Sequence, residues 1–155
     1  MNTMIMGIDP GVQHIGICGY CPERDEFLQP YEYKIKTYTE FVEVLDNIPP
    51  FFKENFNFCY AIEKPFFSPV TLAKNIRTLE VIGLIKYSAE KHEVKVFEYA
   101  PTTIKKQVTG NGRATKEDII KYVTEANKNP RIGFRSSHEA DAAAVAICHH
   151  RQQKS

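Results

Sequence analysis

The stretch that most constrains this chain runs from Met4 to Tyr20: an apolar run, one acid, Pro-Gly, then a second apolar run. Met4-Ile-Met-Gly-Ile8 has the unbroken apolar character of a strand buried on both faces. It ends on Asp9, followed at once by Pro10-Gly11. Pro10 cannot donate to a sheet ladder and Gly11 admits positive φ, so the chain must turn there. A second strand, 14–20, then returns beside the first. A carboxylate at the lip of such a core is paired, holds a cation, or caps its own turn as an Asx residue. The stretch alone leaves turn cap and cation ligand as equal readings.

A later segment repeats this logic. Phe58-Cys-Tyr-Ala-Ile62 is an apolar run that ends on Glu63, and Pro65 follows. Between the two lies a third antiparallel strand within 27–37, then a helix from Thr39 to about Asn47 that Pro49-Pro50 interrupts. A short amphipathic piece, 51–55, follows the prolines. Residues 69–92 form a long helix with Leu72, Ile76, Leu79, Ile82 and Ile85 along it. Gly83 within it predicts close packing against a neighbour. After a strand at 94–99 come a short helix to about 108 and the loop Gly110-Asn-Gly112. Thr115 and Asp118 form a capping box that opens a helix to about 126. The last helix, 137–150, is capped by Ser136 or Ser137 and is alanine-rich, so it packs closely on the sheet. Helices alternating with strands after an antiparallel start predict one α/β domain over 1–155, in three layers around a mixed five-stranded sheet. Residues 151–155 read as a solvated tail.

Composition narrows the function. The net charge of +1 excludes a uniformly basic nucleic-acid coat, so any basic surface must be sorted locally. No apolar run reaches membrane-spanning length and no signal-peptide pattern is present, which makes the cytoplasm the expected location. Cys18 and Cys21 have C-x-x-C form but no second pair at zinc spacing, and residues three apart on a strand face opposite ways. No cysteine chemistry is expected.

The last helix opens with His138-Glu-Ala-Asp141. Residues three apart lie about 60° apart around a helix, so His138 and Asp141 share a face that Glu139 does not join. Their bland role is to start a helix whose dipole favours acids. His149 and His150 are expected at the surface or as a charge match for the helix C-terminus. Taken together, Asp9, Glu63, His138 and Asp141 suit a hard divalent cation, since three converging carboxylates repel without one. Two Mg²⁺ ions bridged by a shared Asp would form a clamp for in-line phosphodiester hydrolysis.

Ile8-Asp-Pro-Gly11, Ala61-Ile-Glu63 and His138-Glu-Ala-Asp-Ala142, in this order and at these separations, resemble the RuvC family of Holliday-junction resolvases. Phe97-Glu-Tyr-Ala100, Lys105, Gly110-Asn-Gly112 and Lys116 extend the resemblance over nearly the whole chain. It implies the RNase H-like fold in a compact bacterial or phage-type member, acting in the cytoplasm of the cell or infected host. It also implies a homodimer that cleaves four-way DNA by paired nicks with Mg²⁺, Mn²⁺ substituting. The implied catalytic and metal residues are Asp9, Glu63, His138 and Asp141. Many relatives have aspartate at the position of His138, which leaves its role open between metal ligand and proton shuttle. Phe66, with Phe67 competing, matches an aromatic that touches junction bases. Lys105 and Lys116 match basic positions at the DNA face, and with Lys106, Arg113, Lys74 and Arg77 they can line a positive track. The resemblance gives the helix over 70–91 to the dimer interface, whereas its stripe alone fits monomer core equally well. Alternatives are a broader fork, flap or three-way-branch nuclease, and an inactive junction-binding module. An actin-like phosphotransferase needs two large domains around ATP, more than 155 residues supply.

Overall fold

β1 (Thr3–Pro10) and β2 (His14–Cys21) pair antiparallel, with Asp9 opposite Gly16. The computed structural model describes residues 1–154. β5 (Asn57–Glu63) lies parallel to β1 on its other side, and β6 (Lys95–Tyr99) lies parallel to β5. The expected third strand is two pieces, β3 (Glu26–Phe27) and β4 (Tyr31–Lys34), both antiparallel to β2. The mixed sheet therefore has six strands, one more than the sequence pattern suggests. The split falls at Leu28-Gln-Pro30, and Pro30 has no N–H to continue a ladder.

Strand alternation sorts the sheet into two faces. Ile5, Cys18, Tyr20 and Ala61 pack against three helices: α3 (Pro101–Thr109), α4 (Lys116–Ala126) and α5 (Ser137–Lys154). Met6, Ile8, Ile15, Ile17, Tyr60 and Ile62 pack on the other side against α1 (Tyr38–Lys53) and α2 (Leu72–Lys91). The capping box at α4 forms as its sequence predicts, with Thr115 and Asp118 bonding each other's backbone N–H.

Several expectations are corrected. Thr37, not Thr39, caps α1, and the helix continues through Pro49-Pro50. Phe41, Leu45 and Pro49 form one buried face there, and Phe52 stacks on Phe58, so tertiary packing offsets the lost backbone bonds. The apolar stripe of α2 is two stripes. At 100° per residue, Val81, Ile82 and Ile85 face the sheet, while Leu72, Ile76 and Leu79 are exposed on the opposite side. Gly83 lies on that outer side with nothing within 4 Å of a Cβ, so among the described residues it packs on nothing beyond its own helix. His149 is 5% exposed rather than at the surface. Its Nδ1 meets the Tyr99 hydroxyl at 2.6 Å, Phe97 packs on its ring, and burial lowers its pKa. Residues 151–154 extend α5 instead of forming a tail, and Ser155 lies outside the described residues. Arg151 Nη1 donates to the carbonyls of Gln107 (2.6 Å) and Val108 (3.1 Å), which as last-turn groups of α3 lack helical partners.

What fixes α5 against the sheet is missing side chains. A Cβ on Gly7 would stand 1.9 Å from the Ala142 carbonyl oxygen, and one on Gly16 would stand 1.9 Å from that of His138. Backbone occupies the space on both strands, and Ala142, Ala143 and Ala146 keep the helix close. Gly7→Ala is expected to destabilise the protein by about 3 kcal/mol or more in urea unfolding, because rigid backbone must move. Gly133→Ala, with nothing within 4 Å of its Cβ, should stay within about 0.5 kcal/mol of wild type. Equal stabilities for the two variants would contradict this seating.

Candidate active site

The strand register builds the site. Ile8 pairs with Ile62, so Asp9 and Glu63 follow as neighbours on two parallel strands and project to one face. Asp9 pairs with Gly16, Gly16 with Glu32, and Glu63 with Tyr99. One row across the sheet therefore runs Glu32, Gly16, Asp9, Glu63, Tyr99. Gly7 and Gly16 show that this face looks toward α5.

α5 supplies the opposite wall. Ser136 caps it by accepting the Glu139 N–H at 3.2 Å. Glu139 is buried and turns away from the row to accept the Arg135 N–H at 2.8 Å, in line with its opposite position on the helix. The His138 backbone rests over Gly16, and its Nδ1 lies 3.0 Å from Asp9 Oδ2. The histidine is raised in pKa by this hydrogen bond, against burial and with help from Glu32 and Asp141. Asp141, one turn on, faces the same carboxylates. Burial, then the charge of Asp9, pushes it up to about 6, while Lys116, His138 and Lys105 pull it down. Glu63 is pushed up to about 8 by burial, then by Asp9 and Asp141, with Lys105 opposing.

The four predicted residues thus converge. Among the described residues, no three His, Cys, Asp or Glu side chains already close around a common point as a metal cage. The donor set nevertheless fits a hard divalent cation. The pKa values of Glu63 and Asp141 are raised for want of positive charge in this crowd, and an imidazole stands beside them. Asp9, Glu63, Asp141 and His138 are the residues that would hold it.

Phe66 lies beside this cluster. A cleft of about 310 Å³ is lined by Asp9, Glu63, Phe66, Thr71 and Asn75 among others. The Phe66 carbonyl accepts from Asn75 Nδ2 at 2.6 Å and Thr71 Oγ1 at 3.2 Å, which pins the backbone while the ring stays 71% exposed. Phe67 is 43% exposed. Lys105 is half-buried and lines a small hollow with Glu63 and Asp141. Lys116 acts on Asp141 from the start of α4. Lys74, Arg77, Lys106 and Arg113 are exposed. Glu32 is the residue that motif reading missed: nothing in Tyr31-Glu-Tyr-Lys34 marks it, and only register with Gly16 brings it into the row.

A family model described as crossover junction endodeoxyribonuclease RuvC matches residues 5–149. The chain belongs to the RuvC family. The RuvC of Pseudothermotoga lettingae is 32% identical, over 94% of this chain and 93% of its own length. That of Chlamydia pneumoniae is 28% identical, over 96% of this chain and 93% of its own. The fold matches Thermus thermophilus RuvC in complex with Holliday junction substrate at a TM-score of 0.80 and 23% identity, covering 98% of this chain and 95% of that one. The three-layer architecture is thereby the RNase H-like fold of RuvC.

The crowded carboxyls have a consequence for stability. Without a divalent cation, folded Glu63 keeps its proton to about pH 8, against an ordinary value of 4.5. Between these values the folded state binds more protons than the unfolded one, so stability falls as pH rises. Glu63→Gln removes that penalty. In EDTA it should exceed wild type by on the order of 2 kcal/mol near pH 8 and match it near pH 4, with Mg²⁺ narrowing the gap. Thermal unfolding at both pH values checks this, and a variant no more stable at pH 8 refutes it.

Proposed function

We propose that this chain is a Mg²⁺-dependent endodeoxyribonuclease of the bacterial cytoplasm or a phage-infected cell. It acts as a homodimer and resolves four-way DNA junctions by paired nicks. The observation that carries this reading is the convergence of Asp9, Glu63, Asp141 and His138 on one face of the sheet. Family membership over residues 5–149 supports the substrate class. Asp9, Glu63, Asp141 and His138 would hold two Mg²⁺ ions, or Mn²⁺ in their place, which would supply an activated water and charge stabilisation of the leaving oxygen. Asp9 stands between Glu63 on one side and His138 on the other, which supports reading it as the carboxylate that two ions would share. Lys105 offsets charge on Glu63 and Asp141. Phe66 offers a π-face to an unpaired base at the branch, beside the cleft that takes the phosphate. Lys116, Lys106, Arg113, Lys74 and Arg77 contact the backbone of the arms. The outer stripe of α2, Leu72, Ile76 and Leu79 around the bare Gly83, is the surface for the second subunit.

Purified protein with Mg²⁺ should nick a labelled four-way junction, and Asp9→Asn should lower the rate by about a thousandfold while leaving gel-shift binding intact. Labelled three-way, flap and linear substrates run alongside decide the breadth of the activity. Equal cleavage of all branches would replace resolvase with a general branched-DNA nuclease, and binding without cleavage would leave a binding module. Phe66→Ala should slow junction cleavage by about tenfold or more, as loss of one base stack at 1–3 kcal/mol requires. Phe67→Ala, less exposed and absent from the cleft lining, should have the smaller effect.

A further inference from the structure

Glu32 lies in the catalytic row without belonging to the predicted quartet. It sits opposite Gly16 on β4, as Asp9 sits opposite Gly16 on β1. Because Gly16 has no side chain, the His138 backbone fills the gap between the two acids. The imidazole then faces an acid on each side. Its Nδ1 is 3.0 Å from Asp9 Oδ2, and its Nε2 is 3.9 Å from Glu32 Oε1. Ring stacking on His14, with centroids 6.2 Å apart and planes at 18°, steadies the orientation.

An imidazole that gives a lone pair to a metal from one nitrogen must carry its proton on the other. An acceptor for that second N–H selects the tautomer and aims the ring, and such outer carboxylates typically account for 10–100-fold in metal affinity. Nδ1 points into the carboxylate cluster and Nε2 points away from it toward Glu32. Among the described residues the Glu32 side chain makes no hydrogen bond, and its ion-pair neighbours are His138 and His14, whose Nδ1 lies 3.9 Å from the same oxygen. A side chain one-third exposed on a short strand can rotate to close that distance.

We infer that Glu32 is a positioning residue for His138, accepting the Nε2 proton so that Nδ1 is presented to the metal beside Asp9. This rests on the quartet being the metal site proposed above. Aspartate at the place of His138 has no N–H to orient, so the role of Glu32 should exist only with the histidine.

The test is Mn²⁺ binding to the full chain, followed by electron paramagnetic resonance of free Mn²⁺, with junction nicking measured in parallel. Glu32→Ala should weaken Mn²⁺ binding by about 10–100-fold while leaving the melting temperature in EDTA close to that of wild type. Glu32→Gln, which keeps the shape and one acceptor oxygen, should fall between. In a His138→Asp background, Glu32→Ala should change Mn²⁺ affinity less than about twofold, since positioning of an N–H is then lost already. Affinity unchanged in Glu32→Ala, or lowered equally in both backgrounds, overturns the inference while wild-type nicking keeps the proposed function standing. A wild-type chain that takes up no Mn²⁺ and leaves junctions intact overturns both.

Discussion

The site depends on one close contact, the backbone of α5 lying in the space left by Gly7 and Gly16. Helix and sheet usually meet through side chains, which set their separation. Here the carbonyls of His138 and Ala142 come down to the strands themselves. That removes the layer that would otherwise separate His138 and Asp141 from Asp9 and Glu63. Ala142, Ala143 and Ala146 permit the approach because none is longer than a methyl group. The geometry of the chemistry is therefore fixed by absent atoms, and rigid backbone holds it more firmly than a loop could.

That closeness concentrates like charge. Burial and mutual repulsion hold Glu63 and Asp141 well above their ordinary pKa values, and His138, Lys105 and Lys116 oppose them. A chain selected for stability alone would have amides or apolar residues here. In the proposed function a bound cation would offset the cost, and stability and metal affinity would be coupled through the same side chains. His138 partly fills this role in the metal-free state, its bond to Asp9 placing a proton where positive charge is wanted. The placement of Lys105 follows the same logic. Expected at the DNA face, it lines a small hollow together with Glu63 and Asp141.

Asp9 and Glu63 were legible in the sequence because an acid closing an apolar strand contradicts its surroundings, and a proline after each sharpens the address. His138 and Asp141 were legible because helix period decides which residues share a face. Glu32 was not, since its strand is short and half-exposed and its place in the row comes from register with a glycine on another strand. Periodicity also could not separate the two stripes of α2, whose buried and exposed apolar faces both repeat at helical spacing. Pro49-Pro50 shows tertiary packing overriding a local rule. Arg151 and His149 show long-range partners, Val108 and Tyr99, ordering a segment whose composition reads as surface.

The outer stripe of α2 also bears on how a single cleft could serve the paired cuts proposed above. Each chain brings together one set of four site residues, so two coordinated nicks need two chains held at a set distance. The aromatic loop is tied into the start of α2: Asn75 and Thr71 both bond the Phe66 carbonyl, and Phe66 lines the same cleft as Asp9 and Glu63. In the proposed dimer, pairing through Leu72, Ile76 and Leu79 therefore sets the spacing of the two Phe66 rings and, with them, of the two clefts. Ile82 and Ile85 anchor the inner face of the same helix to the sheet. One helix would then carry both the dimer contact and the link to the site, so branch geometry would be read through the separation of the clefts rather than by base contacts inside either one.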